Sequence, residues 1–168
     1  MRVKEIKCYE FKELSKEAKQ KAIQECSEIN TDYEWWDCIY EDAEMAGIKI
    51  TEFDVSYRQN IKGKLTDSME DSIKYILGEH GKDCETYKTA EKFKEKMQVL
   101  AVKIKLLGEE DGFDEGEDEE IKEEYLNEIL SNFWKILKNA YEYNTSEEAI
   151  IEGIEANEFE FDEEGNRI

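Results

Sequence analysis

The sequence predicts a single α+β domain over residues 1–168, with a small antiparallel sheet, helices packed on it and a long antiparallel helical hairpin. Three observations support this prediction. Short runs of alternating apolar residues, typical of strands, lie near both ends of the chain. Two long apolar stripes at helical spacing fill the region between them, and the absence of proline favours long helices. The predicted parts of the domain are residues 1–85, 86–143 and 144–168.

The first part predicts the element order β-α-α-β-β-α. Val3–Phe11 alternates as a strand, and Ser15 after it is a good N-cap for the first helix. The second helix has its predicted cap at Thr31 or Asp32. Gly47 is placed to end that helix in a left-handed conformation, which glycine adopts without steric cost.

A pair of strands and a third helix complete this first part. Ile48–Tyr57 alternates as a strand, and a change of phase near Thr51 predicts a β-bulge. A turn leads into a second strand, Ile61–Leu65, which Gly63 weakens. The third helix has its predicted cap at Asp67 or Ser68 and its predicted stops at Gly78 and Gly81.

The middle part predicts a hairpin of two long helices. From a cap near Thr86 to Gly108, apolar residues recur three and four positions apart, and a second stripe from Ile121 to Tyr141 predicts the antiparallel partner. Val99–Leu107 also alternates with lysines, so a strand stays open for that half. Pairing within a monomer and pairing across a homodimer are both compatible with this spacing. The first stripe is Ala90, Phe93, Met97, Leu100, Ile104 and Leu107.

The last part predicts a helix, a strand and a tight turn. Ser146 is the expected cap of the helix, and Phe159–Phe161 has the alternation of a strand. Asp162–Asn166 predicts a turn in which Gly165 supplies the positive φ. The two residues that remain leave room for only a short return strand.

The charge of the chain is concentrated in its last third. Of the net charge of −21, −18 belongs to residues 108–168, which contain 22 acidic and 4 basic side chains. A field of this sign repels nucleic acids and anionic membranes, so we expect no direct binding to either. The acidity serves either solubility alone or docking to a basic partner, and the sequence leaves both explanations open.

The four cysteines predict no disulfide framework or redox motif. They lack a CxxC spacing, and the sequence contains no cleavable signal or apolar run of about 18 residues. We therefore expect reduced thiols and a cytoplasmic protein. Cys8 and Cys38 are predicted to be small buried side chains.

No spacing typical of a catalytic or metal site is present in the sequence. An EF-hand interpretation of the acidic residues fails because Phe113 or Gly116 would occupy a ligand position. His80 and Cys84 lie one helical turn apart, but structural zinc needs four ligands and a cysteine nucleophile needs a base and an orienting group. We therefore expect a non-enzymatic protein without a metal or other cofactor.

Trp35 is a candidate binding residue outside the acidic region. Trp35 and Trp36 are both predicted to lie on the second helix, where neighbours point about 100° apart and cannot share one narrow core stripe. Glu34 and Asp37 beside them give Trp35 the composition of an aromatic anchor in an acidic rim. The alternative is that Trp35 only covers the edge of the helix.

Four segments carry a family resemblance: Tyr9–Ile23 (YEFKELSKEAKQKAI), Asp32–Asp42 (DYEWWDCIYED), Gly47–Val55 (GIKITEFDV) and Thr145–Asn166 (TSEEAIIEGIEANEFEFDEEGN). They resemble a family of small acidic proteins encoded by phages, prophages and plasmids. Its members are often labelled hypothetical, or antitoxins of toxin-antitoxin stability systems. The resemblance implies a mobile-element origin and action on a protein of a bacterial host cell, and it implies no catalytic residues.

The acidic stretch from Glu109 to Glu120 and the helix after it carry the functional hypothesis. Nine of the twelve residues in the stretch are acidic, and the flanking helices make residues 109–117 the predicted tip of the hairpin. Duplex DNA carries about one negative charge per 1.7 Å of its axis. Carboxylates three and four positions apart on a helix form a dense ridge of the same sign.

We expect this ridge to bind the basic nucleic-acid-binding groove of a host or competing-element protein, as a nucleic-acid mimic in an anti-CRISPR-like anti-defence inhibitor. The alternative is an antitoxin that neutralises its toxin by direct binding. The hypothesis requires that Lys88, Lys92, Lys94 and Lys96 leave the carboxylates unneutralised. The predicted partner-binding residues are Glu109, Glu110, Asp111, Asp114, Glu115, Glu117, Asp118, Glu119, Glu120, Glu123, Glu124, Glu128 and Trp35.

Overall fold

A computed structural model of the chain describes residues 7–107 and 115–168. Within these ranges it has six α-helices, a short 3-10 helix and two antiparallel two-stranded sheets, which confirms the predicted α+β class. None of the described helices is long and apolar enough to cross a membrane. In chain order the elements are β1 (Tyr9–Glu10), α1 (Lys16–Glu25), α2 (Asp37–Met45), β2 (Ile48–Asp54), β3 (Asn60–Leu65), α3 (Met69–Glu79), α4 (Glu85–Leu107), α5 (Glu115–Asn144), α6 (Glu147–Ala156) and β4 (Glu160–Phe161).

The chain divides into two compact units, one built from both ends of the chain and one from its middle. The first unit contains the described residues up to Trp35 together with Asn139–Ile168. The second unit is Trp36–Lys138. That the whole chain forms a single domain stays a prediction.

The first unit buries its core between α1, α6 and the paired strands β1 and β4. The two strands are antiparallel, with Tyr9 opposite Phe161. The rings of Phe11 and Phe161 meet edge to face, with 6.4 Å between their centroids. This packing holds the two ends of the chain together. The buried core residues are Phe11, Leu14, Ala18, Ala22, Cys26, Ile150, Ile154 and Phe161.

Side-chain caps begin both helices of the first unit at the predicted residues. The hydroxyl of Ser15 accepts a hydrogen bond from the backbone N–H of Ala18 at 3.2 Å, and Ser146 does the same for Ala149 at 3.2 Å. Gly165 has a φ of +85°, as the predicted turn requires, and a Cβ at this position would overlap the backbone of Ala18. These predictions are confirmed.

The N-terminal strand is shorter than Val3–Phe11, the predicted range. Its first residues lie outside the described part of the chain, and within that part only Tyr9–Glu10 is a strand. Phe11 already begins the 3-10 helix, Phe11–Glu13, because the side chain of Glu13 accepts a hydrogen bond from the backbone N–H of Glu10 at 2.9 Å and turns the chain.

The second unit places α2 on a β-hairpin and packs α3 against α4. β2 and β3 pair antiparallel, and a register shift between Ile50 and Glu52 confirms the predicted bulge. Gly47 has a φ of +70° after α2, and Ser68 caps α3 by accepting from the backbone N–H of Asp71 at 3.1 Å. The largest buried side chains of this unit are Ile48, Met69, Ile76, Phe93, Tyr125, Ile129, Phe133 and Leu137.

One predicted helix boundary in this region is wrong, whereas α3 ends at Glu79, between its predicted stops Gly78 and Gly81. α2 begins at Asp37, so Trp35 and Trp36 precede the helix instead of lying on it. Trp36 occupies the N-cap position, and its ring packs edge to face against Phe53 with 5.6 Å between centroids, a tertiary contact that the helical spacing did not indicate. α3 continues through Gly78 to Glu79, because glycine weakens a helix without always ending it.

α4 and the first part of α5 run antiparallel, as the two apolar stripes predict. Phe93 meets Tyr125 with 5.3 Å between ring centroids, and the amide of Asn132 donates to Thr89 at 2.8 Å. Residues later in α4 therefore contact residues earlier in α5, as expected of an antiparallel pair. The alternative of a strand over Val99–Leu107 is wrong, since the helix includes these residues. The predicted acidic tip lies mostly outside the described residues.

Candidate partner-binding surface

The predicted acidic residues fall into three groups in the structure. Four of them, Glu109, Glu110, Asp111 and Asp114, lie outside the described part of the chain. Glu115 and Glu117 belong to the first turn of α5, and only their backbone is described. The side chains that remain lie along the first turns of α5 and define the candidate surface, which we call the α5 acidic face: Asp118, Glu119, Glu120, Glu123, Glu124 and Glu128.

Two carboxylates of the α5 acidic face are paired with lysines of α4. Lys96 donates to Glu124 and Lys92 donates to Glu128, while Lys92 also lies 3.9 Å from Glu124. The hydrogen bond and charge of Lys96, with a further contribution from Lys92, hold the pKa of Glu124 below its usual value. These two carboxylates therefore help to join the helices.

Two further carboxylates share one lysine of their own helix. Lys122 lies 2.6 Å from Asp118 and 3.1 Å from Glu119, one turn away along α5. Hydrogen bonds to Asp118 and then to Glu119 raise the pKa of Lys122, so it stays charged at any physiological pH. The negative charge on the first turns of α5 is thus partly neutralised by a lysine of the same helix.

The binding hypothesis requires that the lysines of α4 leave these carboxylates unneutralised, and this requirement is only partly met. Lys92 and Lys96 neutralise carboxylates of the α5 acidic face, whereas Lys88 pairs with Glu85 at 2.7 Å. Among the residues that the structure describes, Glu120 and Glu123 are exposed and have no lysine within ion-pair distance. The described surface for a basic partner is centred on these two.

A cleft of about 570 Å³ lies between α4 and α5 beside Glu120. Three lysines line it, Lys92, Lys96 and Lys103, together with the apolar side chain of Leu100. Two of these lysines, Lys92 and Lys96, are already paired with Glu128 and Glu124, and Glu95 also lines the cleft.

Trp35 is half-buried in the first unit, where its ring lies 5.8 Å from that of Tyr141 at an interplanar angle of 44°. This contact places the ring of Trp35 against α5. Part of the indole is still exposed, so an outward role for Trp35 stays a prediction.

The structure brings together one polar set that the sequence did not indicate. His80 has its Nδ1 at 2.7 Å from the hydroxyl of Thr86 and its Nε2 at 3.3 Å from a carboxylate oxygen of Asp42. Within the described residues Nε2 is buried and makes no hydrogen bond, so the set lacks the bond by which an acid orients a catalytic histidine. Thr86 is only 1% exposed, so no substrate reaches its hydroxyl in this conformation. The set links α2, α3 and α4.

The predicted burial of two cysteines is wrong. Cys8 and Cys38 are both exposed, as is Cys84, while Cys26 is buried in the first unit. Cys38 follows the first residue of α2 and points away from the face that Ile39 buries, because neighbouring helix positions diverge. Across residues 7–107 and 115–168, no group of three His, Cys, Asp or Glu side chains is arranged to hold a metal ion.

Comparisons with known proteins identify no family or function for this chain. A scan against family models, a search of curated proteins and a search of solved structures each returned no significant match. The resemblance to small acidic proteins of mobile elements therefore stays a prediction.

Proposed function

We propose that this chain is a non-enzymatic inhibitor that binds the basic nucleic-acid-binding surface of a host or competing-element protein. The observation that carries the proposal is the charge of −18 over residues 108–168. A well-cored domain needs no such excess for folding, and like charges so close together repel one another. A partner with clustered lysines and arginines relieves that repulsion.

The α5 acidic face supports a specific way of binding. Glu120 and Glu123 lie one helical turn apart on α5, where Asp118, Glu119, Glu124 and Glu128 are already paired with lysines. The internal pairs hold α5 against α4, so the two remaining carboxylates are presented on a rigid support. A partner groove that normally follows a phosphate backbone meets two neighbouring negative charges there.

The biological setting that we propose is anti-defence activity of a phage or other mobile element. It combines the charge with the resemblance of four segments to small acidic phage and plasmid proteins. A nuclease, a repressor or an RNA-guided effector has the basic groove that such an inhibitor would block. Inhibition would be competitive with nucleic acid and would weaken with salt.

The test compares two charge reversals of equal size. Glu120→Lys with Glu123→Lys changes the α5 acidic face, and Glu41→Lys with Glu44→Lys makes the same change on exposed positions of α2. Each variant and the wild-type chain are immobilised and exposed to bacterial extract at low salt, with and without duplex DNA. Circular dichroism checks that all three proteins are folded.

We expect the wild-type chain and the α2 variant to retain the same nucleic-acid-binding protein, and duplex DNA or high salt to release it. The α5 variant should retain at least tenfold less. The purified partner should then lose DNA binding in the presence of the wild-type chain. Equal retention by both variants, or retention that DNA does not reduce, would contradict the proposal.

One observation favours a second candidate function, that of an antitoxin. Tyr9–Ile23 and Thr145–Asn166, two of the four segments with the antitoxin resemblance, belong to the same compact unit. An antitoxin would bind its toxin through this unit and need no α5 acidic face. Co-expression with the product of an adjacent gene distinguishes the two: rescue from a lethal product by the chain with Glu120→Lys and Glu123→Lys would favour the antitoxin.

A further inference from the structure

The second unit contains a groove that differs in character from the α5 acidic face. It lies between α3 and α4 and has a volume of about 540 Å³. Ile73 and Leu77 of α3 and Met97 and Ala101 of α4 form its apolar lining. Ile73 is almost fully buried, whereas Ala101 is exposed, so the lining runs from the core out to the surface.

Positive charge flanks this groove in a chain that is otherwise strongly acidic. Lys74 stands on the α3 wall and Lys94 on the α4 wall, and both are exposed. Neither forms an ion pair within the part of the chain that the structure describes. Glu70 lies at one end, while Lys105 follows Ala101 by one turn on the same face of α4.

Gly78 supplies an independent observation. It is the next-to-last residue of α3 and lines the groove. A Cβ added there would meet no atom within 4 Å, so packing inside the chain does not require glycine. The missing side chain leaves the groove open at the point where an occupant would enter it.

We infer that this groove binds an amphipathic helical segment of a partner protein whose polar flanks are acidic. Apolar side chains one turn apart on the segment would rest on Ile73, Leu77 and Met97, which is the usual arrangement of a helix in a groove. Carboxylates beside that apolar stripe would reach Lys74 on one wall and Lys94 on the other. The surface is distinct from the one that the proposed function uses, and it selects partner charge of the opposite sign.

The probes are two synthetic helical peptides of 18 residues or so, long enough to be helical once bound. Both carry leucines at the same amphipathic spacing, and one has glutamates and the other lysines at the flanking positions. Affinity is measured by fluorescence anisotropy at low and high salt, and the contact is located by amide chemical shifts. Binding of the glutamate peptide should shift Gly78, Gln98 and Ala101, and the lysine peptide should bind at least tenfold more weakly.

Two variants test the contact, each with a matched control. Lys74→Glu with Lys94→Glu should weaken the glutamate peptide at least tenfold, whereas Lys49→Glu with Lys64→Glu makes the same charge change on exposed positions of β2 and β3 and should leave its affinity unchanged. Gly78→Leu should fill the groove and lose binding while its melting temperature does not fall. Gly78→Ala keeps the groove open and should still bind.

Several results would overturn the inference. These are equal affinity for the two peptides, equal effects of the two double charge reversals, or shifts confined to Val99, Val102 and Leu106. Concentration-dependent association of the chain alone, abolished by Gly78→Leu, would assign the groove to a second copy instead. Because neither peptide nor variant involves the α5 acidic face, failure here leaves the proposed function untouched.

Discussion

The two halves of α4, residues 85–96 and 97–107, have the same apolar spacing and different surroundings. In the first half, Ala90 and Phe93 are fully buried between neighbouring helices. In the second half, Met97, Leu100 and Ile104 of the same stripe are only partly buried, and the side chains of Val99 and Leu106 beside the stripe are 69% and 79% exposed. The same periodicity thus forms the centre of the second unit at one end of the helix and a partly covered surface at the other.

Apolar spacing therefore predicts a helix and the face that it would bury. That face is buried only where another element of the fold packs over it. The first half has Tyr125 of α5 across from it, and the second half borders two clefts, one against α3 and one against α5. Apolar side chains left open beside clefts are typical of surfaces that other molecules cover. The first half therefore serves stability, and we assign binding to the second.

The largest expected effect comes from removing a buried side chain from the first half of α4. Phe93→Ala removes a ring that packs on Tyr125 and lies 5.0 Å from the ammonium of Lys92 and 4.9 Å from that of Lys96. It should lower the free energy of unfolding by about 3–5 kcal/mol, because the cavity adds to the lost transfer energy. Leu106→Ala should cost less than about 0.5 kcal/mol.

Urea unfolding followed by circular dichroism measures both variants. The comparison breaks if Leu106→Ala destabilises the chain as much as Phe93→Ala, since the second half would then be buried in solution.

The sequence predicts those parts of the fold that local chemistry decides. Ser15, Ser68 and Ser146 cap helices because each hydroxyl acts within three residues of its own position. Gly47 and Gly165 have positive φ, a backbone state that few other residues accept. Caps and turns of this kind depend on a few neighbouring residues, so a single sequence is enough to find them.

Contacts between distant residues explain what the sequence did not predict. Tyr9 pairs with Phe161 from the other end of the chain, and His80 joins Asp42 to Thr86 only once three helices are packed. The candidate site has the same dependence: spacing identifies its carboxylates and the lysines that could neutralise them, but which pairs form depends on the register between two helices. Charge density is a local property, and charge pairing is a tertiary one.

The next effect in size uses pH to probe the covered half alone. Burial raises the pKa of Tyr125 to about 12, with the hydrogen bond between its hydroxyl and Ser72 acting in the opposite direction. A raised folded-state pKa contributes stability that is complete below the unfolded value near 10 and is lost as the pH rises towards 12. A shift of about two units corresponds to a loss of about 3 kcal/mol.

Tyr125→Phe isolates this contribution from the other groups that titrate at high pH. At neutral pH the variant should be less stable by about 1 kcal/mol, since Ser72 loses its buried partner. Between pH 10 and 12 the free energy of unfolding should fall less steeply in the variant than in the wild-type chain. Parallel curves would mean that Tyr125 is reached by water, and the first half of α4 would then resemble the second.

The smallest expected effect concerns Lys96, at the end of the first half of α4. Lys96→Met keeps the apolar stem and removes the charge that lowers the pKa of Glu124, so carboxyl NMR titration should show that pKa rising towards 4.5. A lowered folded-state pKa contributes stability above the unfolded value and loses it as the pH falls through the folded value. The variant should therefore be slightly less stable at neutral pH, and the difference should vanish in acid or in high salt.

Lys105→Met is the matched control, since Lys105 lies in the second half and has no ion pair among the described residues. It should leave the pKa of Glu124 and the unfolding midpoint unchanged. If Lys96→Met also leaves the pKa of Glu124 unchanged, the pair is not held in solution. Glu124 would then rejoin Glu120 and Glu123 as charge available to a partner, and the α5 acidic face would approach the continuous ridge that the sequence predicts.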